Sequence, residues 1–219
     1  MTNKNDKNGS VFFDKIKKIA DSYRQNLATK IKLRMQELEH DDTSHFLIYR
    51  VLGINFSEGK NIDLYQNKGR YLYKYAGSFL EEAARSCFQW KFPDAKSYSI
   101  PNTESTRPKR FDLDCVYCEK AIEIKWRDAT TDGDHITKEH GKLLAIRKAG
   151  LVPIRIMFYY PQREKAIRIQ KVMSDLYHNA GGLYHSGDAA WQFIKTETEI
   201  DLLDILKRIA NTNEKAKHE

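Results

Sequence analysis

A chain of 219 residues with 41% hydrophobic and 31% charged residues has the length for one large domain and the balance of a folded globular protein, which excludes disorder along its length. The net charge of +7 and a pI near 9.1 favour an anionic partner. The polar opening Met1 to Ser10, the absence of any apolar run of roughly 18 residues, and a sparse odd set of cysteines (Cys87, Cys115, Cys118) exclude a secretory signal, a membrane span and a disulfide framework, so reduced thiols, a cytoplasmic location and no membrane partner are expected.

In chain order, Phe12, Ile16, Ile19, Ala20, Tyr23, Leu27, Ile31 and Met35 recur at three- and four-residue spacing and predict a long amphipathic helix over Val11 to Leu38 with Ser10 as N-cap. A short helix is expected over Ser44 to Leu52. Gly53 through Gly69, punctuated by Asn and Gly, reads as loop. Tyr71, Tyr73 and Tyr75, near Arg70 and Lys74, fit either a strand or a DNA-edge cluster. From Gly77 to Trp90, Phe79, Leu80, Ala83, Ala84, Cys87 and Phe88 form the stripe of a buried helix.

Pro93 to Pro108 is polar and reads as an irregular connection. The period then switches. Phe111, Leu113, Cys115 and Tyr117 alternate with Asp112, Asp114 and Val116, and Ile122, Ile124 and Trp126 alternate with Glu123 and Lys125, which predicts a hairpin turning near Cys118 and Glu119. A helix over His135 to Ala149 closed by Gly150, a buried strand over Leu151 to Tyr160, a helix over Arg163 to Ala180 stopped by Gly181 and Gly182, and a last helix over Glu199 to Ala210 follow. The basic run Arg163, Lys165, Arg168 and Lys171 is read as a solvated face.

On the hairpin, Asp112, Asp114, Glu123 and Lys125 can share one face. Carboxylates so crowded call for a cation, and hard divalent ions such as Mg²⁺ prefer oxygen ligands while keeping several waters. A bound metal with a lysine beside it suits phosphodiester hydrolysis. The plainer alternative is a solvated hairpin whose acids and Lys125 make cross-strand ion pairs. The Cys115-x-x-Cys118 pair lacks partners to complete a zinc site and is read as packing.

The order helix with an acid, Asp on a strand, Glu-x-Lys on the next strand, helix, strand resembles the PD-(D/E)xK nuclease superfamily. The likeness is carried by Gly77 to Ala84, Phe-Asp-Leu-Asp at 111–114 and Glu-Ile-Lys at 123–125. No proline directly precedes either Asp. More narrowly, residues 123–135 resemble type II restriction enzymes of the ApaLI-like group. The resemblance implies an α/β (α+β) restriction-endonuclease-like core, a central mixed sheet flanked by helices over residues 70–219, with 1–69 as an N-terminal helical region packed on it. It further implies a type II enzyme making Mg²⁺-dependent double-strand cuts in DNA, with Mn²⁺ as a substitute, and a homodimer to match a palindromic site. Metal ligation falls to Asp114, Asp112 and Glu123, catalysis also to Lys125, and a further acidic role to Glu81, with Glu82 as the alternative. DNA contacts are expected from Arg127, Thr130, Thr131, His135, Lys138 and Lys142. A two-residue turn would set Asp114 across from Glu123 and Asp112 across from Lys125; a longer one would bring Asp112 opposite Glu123. A structure-selective repair or junction-resolving nuclease and a non-catalytic DNA-binding protein are the competing readings.

Overall fold

The computed structural model describes residues 2–103, 108–127 and 133–215, without the side chains of 2–8, 133–135 and 215. Contacts group the chain into two compact units, Met1–Phe79 and Leu80–Glu219, and the division falls inside a helix.

The first unit holds α1 (Thr2–Glu39), α2 (Phe46–Val51) and the start of α3 (Phe56–Lys91). The expected α1 is present, but it begins well before Ser10, which lies within the helix and caps nothing: no proline interrupts residues 2–9, so the helix runs on. The loop expected over 53–69 is almost wholly helical. Asn55 accepts the Glu58 N–H through its side chain and starts α3. Gly59 is there for close approach, since a Cβ would stand 2.7 Å from the Tyr49 ring. Asn67 donates to the Asp63 carbonyl within the helix and accepts from Arg34 of α1 at 3.2 Å. Glycine and asparagine, read as loop formers, thus serve helix packing. Tyr71, Tyr73 and Tyr75 are helical, and Tyr75 meets Tyr23 of α1 edge to face.

The second unit is built on a mixed five-stranded sheet in the order β1-β2-β3-β4-β5. These strands are β1 (Lys96–Pro101), β2 (Arg110–Tyr117), β3 (Lys120–Arg127), β4 (Val152–Tyr159) and β5 (Leu183–Ser186). The first three are antiparallel and the last three parallel. Parallel neighbours need crossovers, supplied by α4 (Gly133–Lys148) and α5 (Glu164–Asn179); α6 (Asp188–Thr198) and α7 (Leu202–Lys215) close the chain. The predicted hairpin, α4, β4 and α5 are all present. Sequence reading took 93–108 as irregular, yet it contains β1, a sheet-edge strand whose terminal Pro101 has no central ladder to break. It also passed over β5, four residues behind the Gly181-Gly182 pair, and α6. Gly182 is required there: a Cβ would lie 2.2 Å from the Pro153 carbonyl oxygen of β4.

Arg155 and Phe158 point to opposite faces of β4 by alternation. The first meets Glu139 of α4 at 2.9 Å and the second packs on Trp191 of α6 at 4.2 Å between ring centroids, so helices cover both sides. Ile100, Phe111, Leu113, Ala121, Ala145 and Ile146 form one continuous buried cluster between β1, β2, β3 and α4.

Candidate active site

The hairpin turns on Cys118 (φ 42°) and Glu119 (φ 62°), two non-glycine residues in left-handed conformations, as a tight two-residue turn demands. Its pairs run from Tyr117↔Lys120 to Cys115↔Ile122, the short-turn register. On the other side of β2 the register against β1 shifts: Lys96 pairs with Val116 but Tyr98 with Leu113, so β2 carries an extra residue at Asp114–Cys115. This is a β-bulge. It breaks the strict alternation expected along β2, because Leu113 and Val116, three apart, pack in one cluster.

The bulge re-aims Asp114. Its Oδ2 accepts the backbone N–H of Ile124 at 2.7 Å, so the side chain takes over where the β2–β3 pairs stop. On β3, Lys125 Nζ lies 2.5 Å from Glu123 Oε1 and 3.8 Å from Asp114 Oδ2. The other Glu123 oxygen accepts from Lys142 of α4. Arg85 of α3 donates to the Asp114 carbonyl at 3.3 Å. Glu123 is only 6% exposed and Lys142 9%, so this patch is no solvated face of exchanging ion pairs.

Burial and the nearby Glu123 charge raise the Asp114 carboxyl above the usual Asp range, against the opposing pull of Lys125 and the Ile124 N–H. Burial and then the Asp114 charge raise Glu81 likewise, which places Glu81 within electrostatic reach of the pair. For Glu123, burial works upward, but Lys125, Lys142 and Arg155 outweigh it and hold the carboxyl below its ordinary value. For Lys125, burial works downward, and Glu123 and Asp114 outweigh it and keep the ammonium charged. The structure therefore brings Asp114, Glu123 and Lys125 together, and Glu81 is close enough to feel their charge. Asp112 stands exposed on β2 across from Ser99 of β1 and makes none of these contacts.

Among the residues expected on DNA, Lys138 is exposed on α4, whereas Lys142 is buried on Glu123 because α4 turns that side toward the sheet. Arg127, at the end of β3, has its guanidinium 5.6 Å from the Trp126 ring centroid. Thr130 and Thr131 fall outside the described residues, as does the His135 side chain. Sequence reasoning missed Glu139, Arg155 and Tyr177. Arg155 had a visible signal: a charge inside the apolar run 151–158 of a buried strand needs a partner.

Among the described residues, no three Asp, Glu, His or Cys side chains converge as a ligand set. The donors nonetheless suit a hard cation. They are all carboxylate oxygens, burial and then like charge make Asp114 and Glu81 harder to ionise, a cost that a cation would relieve, and Mg²⁺ is commonly held by one or two carboxylates with water and phosphate completing the shell.

A mixed sheet flanked by helices, with a carboxylate, a second carboxylate and a lysine on adjoining strands, is a restriction-endonuclease-like core. The model of the ApaLI-like restriction endonuclease family matches residues 5–211, nearly the whole chain, and the protein belongs to that family. Membership makes it a nuclease that hydrolyses DNA, of a kind typically dependent on divalent metal. No curated protein and no solved structure matches the chain. Among the described residues, no helix is long and apolar enough to cross a membrane.

Proposed function

We propose that the protein is a type II restriction endonuclease making Mg²⁺-dependent double-strand cuts at a specific, palindromic DNA site, with Mn²⁺ able to substitute. The observation that carries this reading is the contact of half-buried Lys125 with buried Glu123 and half-buried Asp114 at the bulged end of the β2–β3 hairpin.

In this reading Asp114 and Glu123 hold the cation, Glu81 adds negative charge, and Asp112 is a secondary acid at the rim. The cation would polarise the phosphoryl oxygen and make bound water more acidic. Lys125, kept protonated by its two carboxylates, is not a base; it stabilises the attacking hydroxide and the phosphate charge. A bond forms from water oxygen to phosphorus and the ester P–O bond breaks, leaving a hydroxyl end and a phosphate end. Lys142 occupies Glu123 before the cation arrives and is then free to meet phosphate. Arg127, Lys138, Thr130, Thr131 and His135 supply further DNA contacts.

A homodimer matches the two-fold symmetry of such a site. It is supported by apolar side chains on and after α2 that stay more than half exposed: Leu47 57%, Ile48 58%, Val51 73% and Leu52 70%. The test is digestion of a plasmid of known sequence by purified protein in Mg²⁺, with and without EDTA, followed by sequencing of fragment ends. A single repeated end sequence, lost in EDTA, is expected. Cutting unaffected by EDTA overturns metal dependence, and cutting that follows DNA shape rather than sequence favours a repair or junction-resolving nuclease.

A further inference from the structure

Next to the hairpin site lies a second charged cluster that the reading above leaves unused. Arg155, 2% exposed, sits in the middle of β4 between buried Ile154 and Ile156. Its Nη1 donates to Glu139 Oε1 at 2.9 Å, and the buried Tyr177 hydroxyl of α5 donates to the same oxygen at 2.5 Å. Arg155 Nε is buried with no hydrogen-bond partner among the described residues. As adhesive, such a pair is inefficient, because desolvating two charges can exceed their attraction and well-packed apolar side chains of similar volume often hold a core as well.

Its location offers another use. Arg155 is the register partner of Glu123 across β3 and β4, so the two side chains leave the sheet on the same face. Glu139 and Lys142 stand three apart on α4, one on Arg155 and the other on Glu123. Glu123 therefore borders three cations, Lys125, Lys142 and Arg155, and the charge of Arg155 is cancelled from behind by Glu139, as that of Lys125 is shared with Asp114.

We propose that Glu139, Arg155 and Tyr177 are positioning residues for hydrolysis, a buried charge pair that braces Glu123 and keeps the site's cationic balance low enough for Glu123 to exchange Lys142 for a divalent ion. Glu139 neutralises Arg155, and Tyr177 fixes the Glu139 carboxylate in place. A neutral residue at 139 leaves the guanidinium uncancelled beside Glu123, where it repels an incoming cation. The inference rests on the metal-dependent reading above.

The experiment measures Mn²⁺ binding to DNA-free protein by electron paramagnetic resonance, and the metal and DNA dependence of cleavage, for wild type, Glu139→Gln, Tyr177→Phe and Arg155→Lys, with thermal melting as the control for folding. Expected are a metal half-saturation at least about tenfold higher in Glu139→Gln and about threefold higher in Tyr177→Phe, seen equally in Mn²⁺ binding, with KM for DNA little changed, and a smaller rise in Arg155→Lys, which keeps the charge, than in Glu139→Gln. Should Glu139→Gln fail to fold, Tyr177→Phe, which loses one hydroxyl, decides the matter. Folded variants that bind Mn²⁺ as the wild type does overturn the positioning role while leaving the metal-dependent reading intact. A wild-type protein that binds no Mn²⁺ overturns both.

Discussion

The two compact units keep their charge in different places. Residues 1–79 carry 14 Lys and Arg against 9 Asp and Glu, and residues 80–219 carry 23 against 21, so most of the net +7 belongs to the smaller, all-helical unit. There the ion pairs stay at least partly open to solvent: Lys17 with Asp21 and Arg34 with Glu37 join neighbouring turns of α1, and such pairs each contribute about 0.5 kcal/mol or less. In the larger unit, Glu123, Glu139, Lys142 and Arg155 are taken inside against the sheet. Exposed charge attracts a polyanion from a distance; buried charge, costly to keep, acts on groups within contact. On the proposed function, the difference would give encounter to one unit and chemistry to the other.

The largest effects should come from the groups beside buried Glu123 at the site. Lys125→Ala and Asp114→Asn are expected to lower cleavage at least about a thousandfold, some 4 kcal/mol of transition-state stabilisation, and to leave DNA affinity within about tenfold. Asp112→Asn should cost less. Steady-state cleavage beside gel-shift binding measures both, and an Asp112 variant more damaged than the Asp114 variant would move the metal to the rim. Next comes the exposed charge. DNA affinity should fall by orders of magnitude between low and moderate salt, as counterion release dictates, and a flat titration would remove the electrostatic role from the helical unit.

A smaller effect tests the apolar surface of that unit. Ile48→Glu with Leu52→Glu should shift sedimentation from dimer to the 25.6 kDa monomer without changing the helix signal; a wild type that is already monomeric with DNA present would refute the dimer. The smallest is a stability change. Because Asp114 titrates above its unfolded value, its contribution is fully present only below the unfolded Asp value near 4 and is lost as pH rises through the raised folded value. In EDTA, Asp114→Asn should therefore melt higher than wild type at neutral pH, the gap closing as pH falls below about 4. A variant that melts lower at neutral pH would show that the Ile124 bond outweighs the crowding.

The hairpin and the α4–β4 crossover were legible in the sequence because a change from period two to period three-and-a-half is a property of neighbouring residues. Residues 56–69 were not, because Gly59 and Asn67 earn their places by contacts with Tyr49 and Arg34 on other helices, which no local pattern shows. Within the site, Glu123 and Lys125 stood out as a motif, while the seat of Lys142 depends on how α4 rolls against the sheet, which no local pattern encodes. The preference for Asp114 over Asp112 followed from the turn, and the register of the turn is present. What one strand's sequence could not show was the bulge, since an extra residue exists only relative to a partner strand.

That bulge also governs what moves together. Past Cys115 no backbone pair joins β2 to β3, and Asp114 is held instead by the Ile124 N–H, the amide between Glu123 and Lys125. Its carboxylate is therefore tied to β3 as well as to its own strand. On the proposed function, a β2 that bent toward a groove would leave the three groups joined through that one amide, so the spacing on which the chemistry depends would be shielded from the strain of holding DNA.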